Sequence, residues 1–318
     1  MRLDSLDMKN NKKTKITEVV TLGECMALFY PSQPIRLADA SHLQVDIAGA
    51  ETNLCIALSR LGHSVRFISR IGNDPFGEKI KSILTHEGVV IDSVIEDDHA
   101  PTGIFFREWL SDGQRRVYYY RKGSAASYLT ETDIRSDYFF QAKILHLTGI
   151  TPALSEQCLS ACQKAIELAK NAGAVVSFDP NYRAPLWDPE SARKVLIPLI
   201  HKANIVLMGH EDANALFGEL EDEQFLHSVA DLDVDICVLK RAEKGAIALA
   251  DGRLVEVPAF PVEKIMDPVG AGDGFNAGFL AGWIRGWSLE KALALGAQIG
   301  AAAVTVMGDY DGYPRLEL

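Results

Sequence analysis

The stretch that decides how this chain is read is Asp267-Pro268-Val269-Gly270-Ala271-Gly272-Asp273-Gly274-Phe275-Asn276-Ala277-Gly278-Phe279. It opens as a turn, because Pro268 fixes φ and Gly270 and Gly272 permit backbone conformations that other residues avoid. A helix is expected over 273–285, with Asp273 at its N-cap or in its first turn, where the helix dipole favours a carboxylate. Gly270, Ala271 and Gly272 carry almost no side chain, so an anion can approach their backbone N–H groups. Amides at a helix N-terminus suit phosphate charge. Gly274, Gly278 and Gly282 recur every fourth residue, at roughly 1 kcal/mol each in helix stability, so another element should pack closely on that face. Two readings stand side by side. Either the loop holds a phosphate in transfer while Asp273 takes a proton from an attacking hydroxyl, or it is a glycine-rich turn with Asp273 as a structural cap. The loop has no Gly-Lys-Ser/Thr and so is not a P-loop. A dinucleotide fingerprint would sit in the first βαβ unit instead.

Around this loop the chain alternates. Strands are expected over 16–28, 65–71, 89–94, 143–147, 174–178, 205–208, 236–240, 246–250 and 254–257. Helices are expected from Gly49 to Leu61-Gly62, from Pro75 to Glu87, and over 155–171, 191–201, 211–217 and 289–306. Such alternation predicts an α/β fold with a mostly parallel sheet. Two sections break the rhythm: 27–45, with Pro31 and Pro34, and a hairpin over 102–120 turning at Ser111-Asp112-Gly113. Together they predict a small sheet over the core, a lid inserted at about 27–48 and 101–123. Ligands of parallel sheets sit beyond the C-terminal strand ends, where Asp179, Arg183, Gly209, Lys240 and the 270–272 loop are expected.

Composition narrows the function classes. Among 318 residues the net charge is −11, which excludes a general nucleic-acid binder and requires a local basic pocket for any anionic ligand. The five cysteines form no CxxC and read as reduced thiols of a cytoplasmic protein. No apolar run reaches membrane length, and no membrane partner is expected. Residues 1–15 read as a flexible extension ahead of one domain over 16–318. The eight histidines lack ligand spacing, which argues against a zinc enzyme, and no Gly-x-Ser-x-Gly elbow supports a serine hydrolase.

Other residues carry paired readings. Alternation puts Tyr118 and Tyr120 on one strand face and Tyr119 and Arg121 on the other; the aromatic strand is either half-buried structure or part of a ligand site. Arg121 and Arg183, from separate segments, would suit a carboxylate if they converge. Gly49 and Asn53 are either a capped βα turn or a backbone contact and a hydrogen-bond donor to a hydroxyl. Lys240 and the turn to Gly245 are a solvated strand end or a nucleotide contact. Glu211 and Asp212 are helix-start charges or carboxylates that order metal-bound water.

Gly49-Ala50-Glu51-Thr52-Asn53, Gly72-Asn73-Asp74-Pro75-Phe76-Gly77 and the 267–275 stretch together resemble the ribokinase-like (PfkB) carbohydrate kinase family, from about Ile16 onward. Pro101-Thr102-Gly103, the 119–125 stretch, Asp179-Pro180-Asn181-Tyr182-Arg183 and the 308–314 stretch look like its 2-keto-3-deoxygluconate kinases. The resemblance implies a three-layer α/β/α sandwich with a β lid, and ATP and Mg²⁺; activation by a monovalent cation is left open. It implies Asp273 as base and Gly270, Ala271 and Gly272 as the anion-binding turn. Gly49, Ala50, Glu51, Thr52, Asn53, Tyr119, Tyr120, Arg121, Arg183 and Asp309 become sugar-acid contacts. Asn181, Tyr182, Arg183, Lys240, Arg241, Ala242, Glu243, Lys244, Gly245 and the 270–273 loop become nucleotide contacts. Phe105 stands at a substrate position where a tyrosine is expected. Gly209-His210-Glu211-Asp212 departs from the family's Asn-x-x-Glu, which leaves Asp212 as the metal contact through water. The chain ends soon after Asp309, so the family's terminal helix is expected to be cut short. A homo-oligomer paired through the lid is expected. A neutral-sugar kinase of the same fold and a non-catalytic sugar sensor are the competing readings.

Overall fold

The computed structural model describes residues 15–110 and 114–315. The expected extension over residues 1–14, the turn at 111–113 and the last residues, 316–318, lie outside them. The chain runs β1 (Val19–Leu22), β2 (Met26–Tyr30), β3 (Gln44–Ala48), α1 (Ala50–Arg60), β4 (Val65–Gly72), α2 (Pro75–His86) and β5 (Val94–Asp97). A hairpin follows, β6 (Ile104–Trp109) and β7 (Arg115–Tyr120). Next come β8 (Ile144–Thr148), α3 (Glu156–Asn171), β9 (Val175–Asp179), α4 (Pro189–Ile200), β10 (Ile205–Gly209), α5 (His210–Phe217) and α6 (Asp222–Ala230). The chain closes with β11 (Ile236–Lys240), β12 (Ala246–Ala250), β13 (Arg253–Val257), α7 (Ala271–Ile284) and α8 (Leu289–Ala303).

Nine strands form the main sheet in the order β13-β12-β11-β10-β9-β8-β1-β4-β5, parallel except for the returning β12 and β13. Its inner strands are buried on both faces, as a covered parallel sheet requires. Val20, Leu22, Val206 and Met208 pack against α3 to α6 on one side. Val19, Leu207 and Val238 pack against α1, α2, α7 and α8 on the other. The result is the three-layer α/β/α sandwich. Register sets Thr148 beside Asp179 and Gly209 beside Lys240, with β10 and β11 running two residues further, so these strand ends line one edge. Helix α7 starts above that edge. Among the described residues no helix is long and apolar enough to cross a membrane.

Four further strands, in the order β3-β2-β6-β7, make the small sheet: β2–β6 is parallel and the two outer pairs are antiparallel. One face buries Met26, Leu28, Ala48 and Phe105. The other carries Phe29 stacked on Phe106, centroids 5.0 Å apart, with Tyr120 edge-on to Phe106.

The close neighbour demanded by the glycine spacing of α7 is α8. A Cβ on Gly278 would come within 2.7 Å of the Leu295 carbonyl and 2.9 Å of the Gly296 Cα, and one on Gly282 within 2.8 Å of the Ala292 Cα.

Several expected elements need correction. The single strand over 16–28 is two, since β1 ends at Leu22 and β2 joins the small sheet. At Gly23 between them a Cβ would overlap the Glu51 carboxyl. The strand expected over 89–94 begins only at Val94; Val90 makes a lone bridge to Arg66. Helix α6 was not expected, because its polar opening, Asp222-Glu223-Gln224, masks the buried Phe225, Leu226 and Val229. Helix α8 ends at Ala303, before β-branched Val304 and Thr305.

Candidate active site

The site is built where β9, β11 and α7 meet. Asp179, the last residue of β9, is buried and accepts from Lys240 Nζ at 2.7 Å and from Asn276 Nδ2 at 2.6 Å. Lys240 Nζ also donates to Asn276 Oδ1 at 3.1 Å. Three elements thereby fix one ammonium with an N–H to spare. A Cβ on Gly272 would lie 3.7 Å from that nitrogen, so the ammonium stands beside the bare turn.

The turn is held from behind. Gly270 caps α7 with φ of 79°, in the left-handed region, and a Cβ there would overlap the Asp309 carbonyl at 1.9 Å. Tyr313 Oη donates to the Gly270 carbonyl at 2.7 Å. Asp273 is therefore the third residue of α7, in its first turn and not at its cap. Its carboxylate is half-buried and accepts from Asn53 Nδ2 at 2.8 Å. Burial, with Asp179 adding repulsion, pushes the Asp273 carboxyl up to about 7, while Asn53, Arg183 and Lys240 pull the other way. A base near neutrality suits proton abstraction from a hydroxyl. Asn53 Oδ1 is buried with no partner, an acceptor left for a hydroxyl.

Around Asn53 the glycine-led motif divides. Gly49 precedes α1 where a Cβ would meet the Glu24 carbonyl at 2.3 Å, and Gly49 and Ala50 stay partly exposed. Thr52 Oγ1 turns back to the Gly49 carbonyl at 3.0 Å. Glu51 is buried and accepts from Thr148 and Thr151 hydroxyls at 2.7 and 2.9 Å, so it braces the sheet and faces no ligand space. Burial raises its carboxyl above the usual range.

The small sheet places its residues differently from expectation. Phe105 is buried in the lid's apolar face, its ring 5.5 Å from Tyr119. Tyr119 is exposed on the face that carries Phe105; Tyr120 sits on the opposite face, two-thirds exposed. Arg121 is no free cation. Its Nε donates to Glu24 Oε2 at 2.7 Å, its Nη2 pairs with the same carboxylate, and Ser124 Oγ donates to Glu24 Oε1 at 2.5 Å. Arg183, in contrast, is exposed, its guanidinium makes no hydrogen bond or ion pair with the described residues, and its charge acts on Asp273. The pair of converging arginines is thus one paired and one open.

The 179–183 segment is braced by carboxylates. Asn181, at φ 39°, donates its amide to Asp179 Oδ1 at 3.0 Å, and Tyr182 N donates to Asp212 Oδ1 at 2.7 Å. Asp212 Oδ2 also accepts from Gly209 N at 3.1 Å. Burial, then Asp179, pushes the Asp212 carboxyl up to about 6. Arg241 is tied to Asp222 and Glu256, while Ala242, Glu243 and Lys244 form an exposed turn closed by Gly245. Asp309 is buried against Arg107 Nη1 at 2.7 Å and does not face open space.

Asn276, Asp179 as the partner of Lys240, Arg107, Asp267, Glu24 and Tyr313 were not singled out as site residues from sequence. Asn276 had a signal, being one helical turn beyond Asp273.

Comparison with known proteins gives one family match, one curated relative and two solved structures. Residues 16–316 match the profile of the pfkB family carbohydrate kinases. The chain is 36% identical over 303 residues to the 2-dehydro-3-deoxygluconokinase of Bacillus subtilis (strain 168), covering 94% of this chain and 93% of that protein. It superposes on the fructokinase of Vibrio cholerae O395, solved with fructose, ADP and calcium ion, with TM-score 0.84 and 27% identity over 94% of this chain and 96% of that one. A structure from E. coli in complex with ATP and Mg²⁺ matches with TM-score 0.86 and 26% identity over 94% of this chain and 96% of that one.

Proposed function

The chain belongs to the pfkB family of carbohydrate kinases, and from that premise we propose that it transfers the γ-phosphoryl of ATP to the terminal hydroxyl of 2-keto-3-deoxy-D-gluconate. The observation that carries the substrate class is Arg183, an unpaired guanidinium whose charge acts on Asp273, in a chain whose net charge is −11. A sugar acid has a carboxylate for it; a neutral sugar does not.

In this reading the sugar hydroxyl lies between Asn53 and Asp273. Ionised Asp273 accepts its proton as the oxygen attacks phosphorus. The amides of Gly270, Ala271 and Gly272 and the Lys240 ammonium stabilise charge on the transferring group, and positioning with electrostatics supplies most of the rate. The 242–245 turn and the 181–183 segment are the nucleotide contacts. Mg²⁺ supplies charge neutralisation across the ATP phosphates when bound. Asp212, partly buried at the start of α5 and held by the Tyr182 and Gly209 backbone N–H groups, fits it as a hard oxygen donor reached through water. Among the described residues no three His, Cys, Asp or Glu side chains are grouped to hold a metal ion alone. The small sheet shields the reaction from water.

The pairing of Arg121 with Glu24 supports a second reading, a neutral-sugar kinase, because only one free arginine remains near Asp273. Two variants test the scheme. Asp273→Asn should lower kcat by at least about 10²-fold while calorimetric binding of the keto acid persists. Arg183→Ala should raise KM for the keto acid far more than for fructose. A near wild-type Asp273→Asn removes the base; equal effects of Arg183→Ala on both sugars favour the neutral-sugar kinase.

Two further proposals concern assembly and compartment. The exposed aromatic face of the small sheet supports a homo-oligomer paired through the lid. The five buried, unpaired thiols suit a reducing compartment such as the cytoplasm.

A further inference from the structure

We infer that Arg107, on lid strand β6, is a positioning residue that sets the phosphate-binding turn from the lid side by holding Asp267 and Asp309. The inference rests on 270–272 being that turn. Arg107 belongs to the small sheet, yet its side chain is only 3% exposed and reaches out of that sheet. Its Nη1 donates to Asp309 Oδ1 at 2.7 Å, and its Nη2 lies 3.3 Å from Asp267 Oδ2. Arg115, on β7, adds its Nε at 3.3 Å from Asp267 Oδ1 and donates Nη2 to the Met266 carbonyl. Both carboxylates flank the turn, Asp267 just before it in the chain and Asp309 packed behind it. Val269 N donates to Asp267 Oδ1 at 3.3 Å, and the Asp309 carbonyl occupies the place a Gly270 Cβ would take. A second tie runs alongside, from Tyr310 Oη to Asp46 Oδ1 on β3 at 2.6 Å.

Two features separate this cluster from ordinary packing. First, charges buried this deeply are costly, and apolar side chains of similar volume would stabilise the joint as well. Charges here give direction, because a planar guanidinium fixes the two carboxylates relative to each other. Second, Arg107 Nη2, Arg115 Nε and Asp267 Oδ2 are all buried and make no hydrogen bond. Such atoms are expensive to leave unsatisfied. The ion pairs to Asp267, at 3.3 Å, are within reach but misaligned, so a small reorientation of the lid would turn them into hydrogen bonds. Lid closure over the sugar would then draw Asp267 and Asp309 into place and aim the Gly270 amide, making phosphoryl transfer depend on an occupied sugar site.

The test is steady-state kinetics of Arg107→Lys and Arg107→Ala in the full chain, with folding checked by circular dichroism and melting. A positioning role predicts kcat lowered at least about tenfold, since small misplacements of a transfer site are costly, with KM for sugar and for ATP each within about threefold of wild type. A purely structural joint would lower the melting midpoint and leave kcat of the folded fraction near wild type. That result overturns the inference, as does a change confined to sugar KM. If Arg107→Ala does not fold, Asp309→Asn, which keeps shape and removes charge, decides on the same readouts. Asp273→Asn is measured in parallel. Its failure to lower turnover would sink the turn assignment itself, whereas its loss of turnover beside active Arg107 variants would sink only the present inference.

Discussion

Asp273 holds its proton until about pH 7 in the folded chain, because burial and Asp179 outweigh the pull of Asn53, Arg183 and Lys240. In the unfolded chain an aspartate ionises near 4. The native state therefore binds the proton more tightly, and the side chain contributes stability at low pH that is lost as pH rises through about 7. Asp273→Asn should match wild-type stability near pH 4, exceed it increasingly up to about pH 7, and keep a constant advantage above. Urea unfolding at a series of pH values checks this; parallel curves would refute it. Turnover has the opposite slope: kcat/KM should rise with pH until Asp273 is ionised and level off near 7. A profile flat from pH 5 to 8 would count against Asp273 as the base. At this scale the sequence was informative where chemistry is local. A proline, two glycines and an aspartate within seven residues announce the turn. Lys240 reads as a nucleotide contact, but its protein partners, Asp179 and Asn276, meet it only across the folded sheet. Glu51 and Phe105 read as ligand contacts because sequence does not say which side of an element faces open space.

The α7–α8 pair shows the same division at the scale of elements. Glycine at every fourth position was read as a demand for close packing, and α8 meets it. Ordinarily alanine for glycine inside a helix gains about 1 kcal/mol. At Gly278 the new methyl would meet backbone atoms of α8 at 2.7 and 2.9 Å, which no rotamer change relieves. Overpacking of this kind costs about 1–3 kcal/mol, so Gly278→Ala should be net destabilising. A raised melting midpoint for this variant would mean that the helices separate freely. Helix α6 escaped notice because three polar residues open it, and the 16–28 segment read as one strand because both of its halves are apolar. The break at Gly23 serves a contact with Glu51 that exists only in the fold.

Over the whole molecule, alternation of strands and helices made the parallel sheet and its covering layers legible, and the two irregular insertions made the lid legible. What the lid does to its surroundings was not. Val45, Tyr118 and Tyr120 are 39%, 42% and 66% exposed on its outer face, beside Phe29 and Phe106. Pairing of two such faces would cover them. Tyr120→Lys should then lower the mass measured by light scattering toward that of one 34.8 kDa chain. An unchanged mass would place any interface elsewhere. The ion pair of Arg121 with Glu24, formed between the lid and the end of β1, altered the expected charge of the sugar site, and no spacing rule reports a partner 97 residues away. The central claim, that this kinase acts on a sugar acid, is met most directly by ADP release from Mg²⁺-ATP with the wild-type chain. The acceptors would be 2-keto-3-deoxygluconate, its galactonate epimer, fructose and ribose. Turnover at least about tenfold higher on the keto acids is predicted from the one open arginine beside Asp273. Turnover on fructose or ribose with none on the keto acids would contradict it.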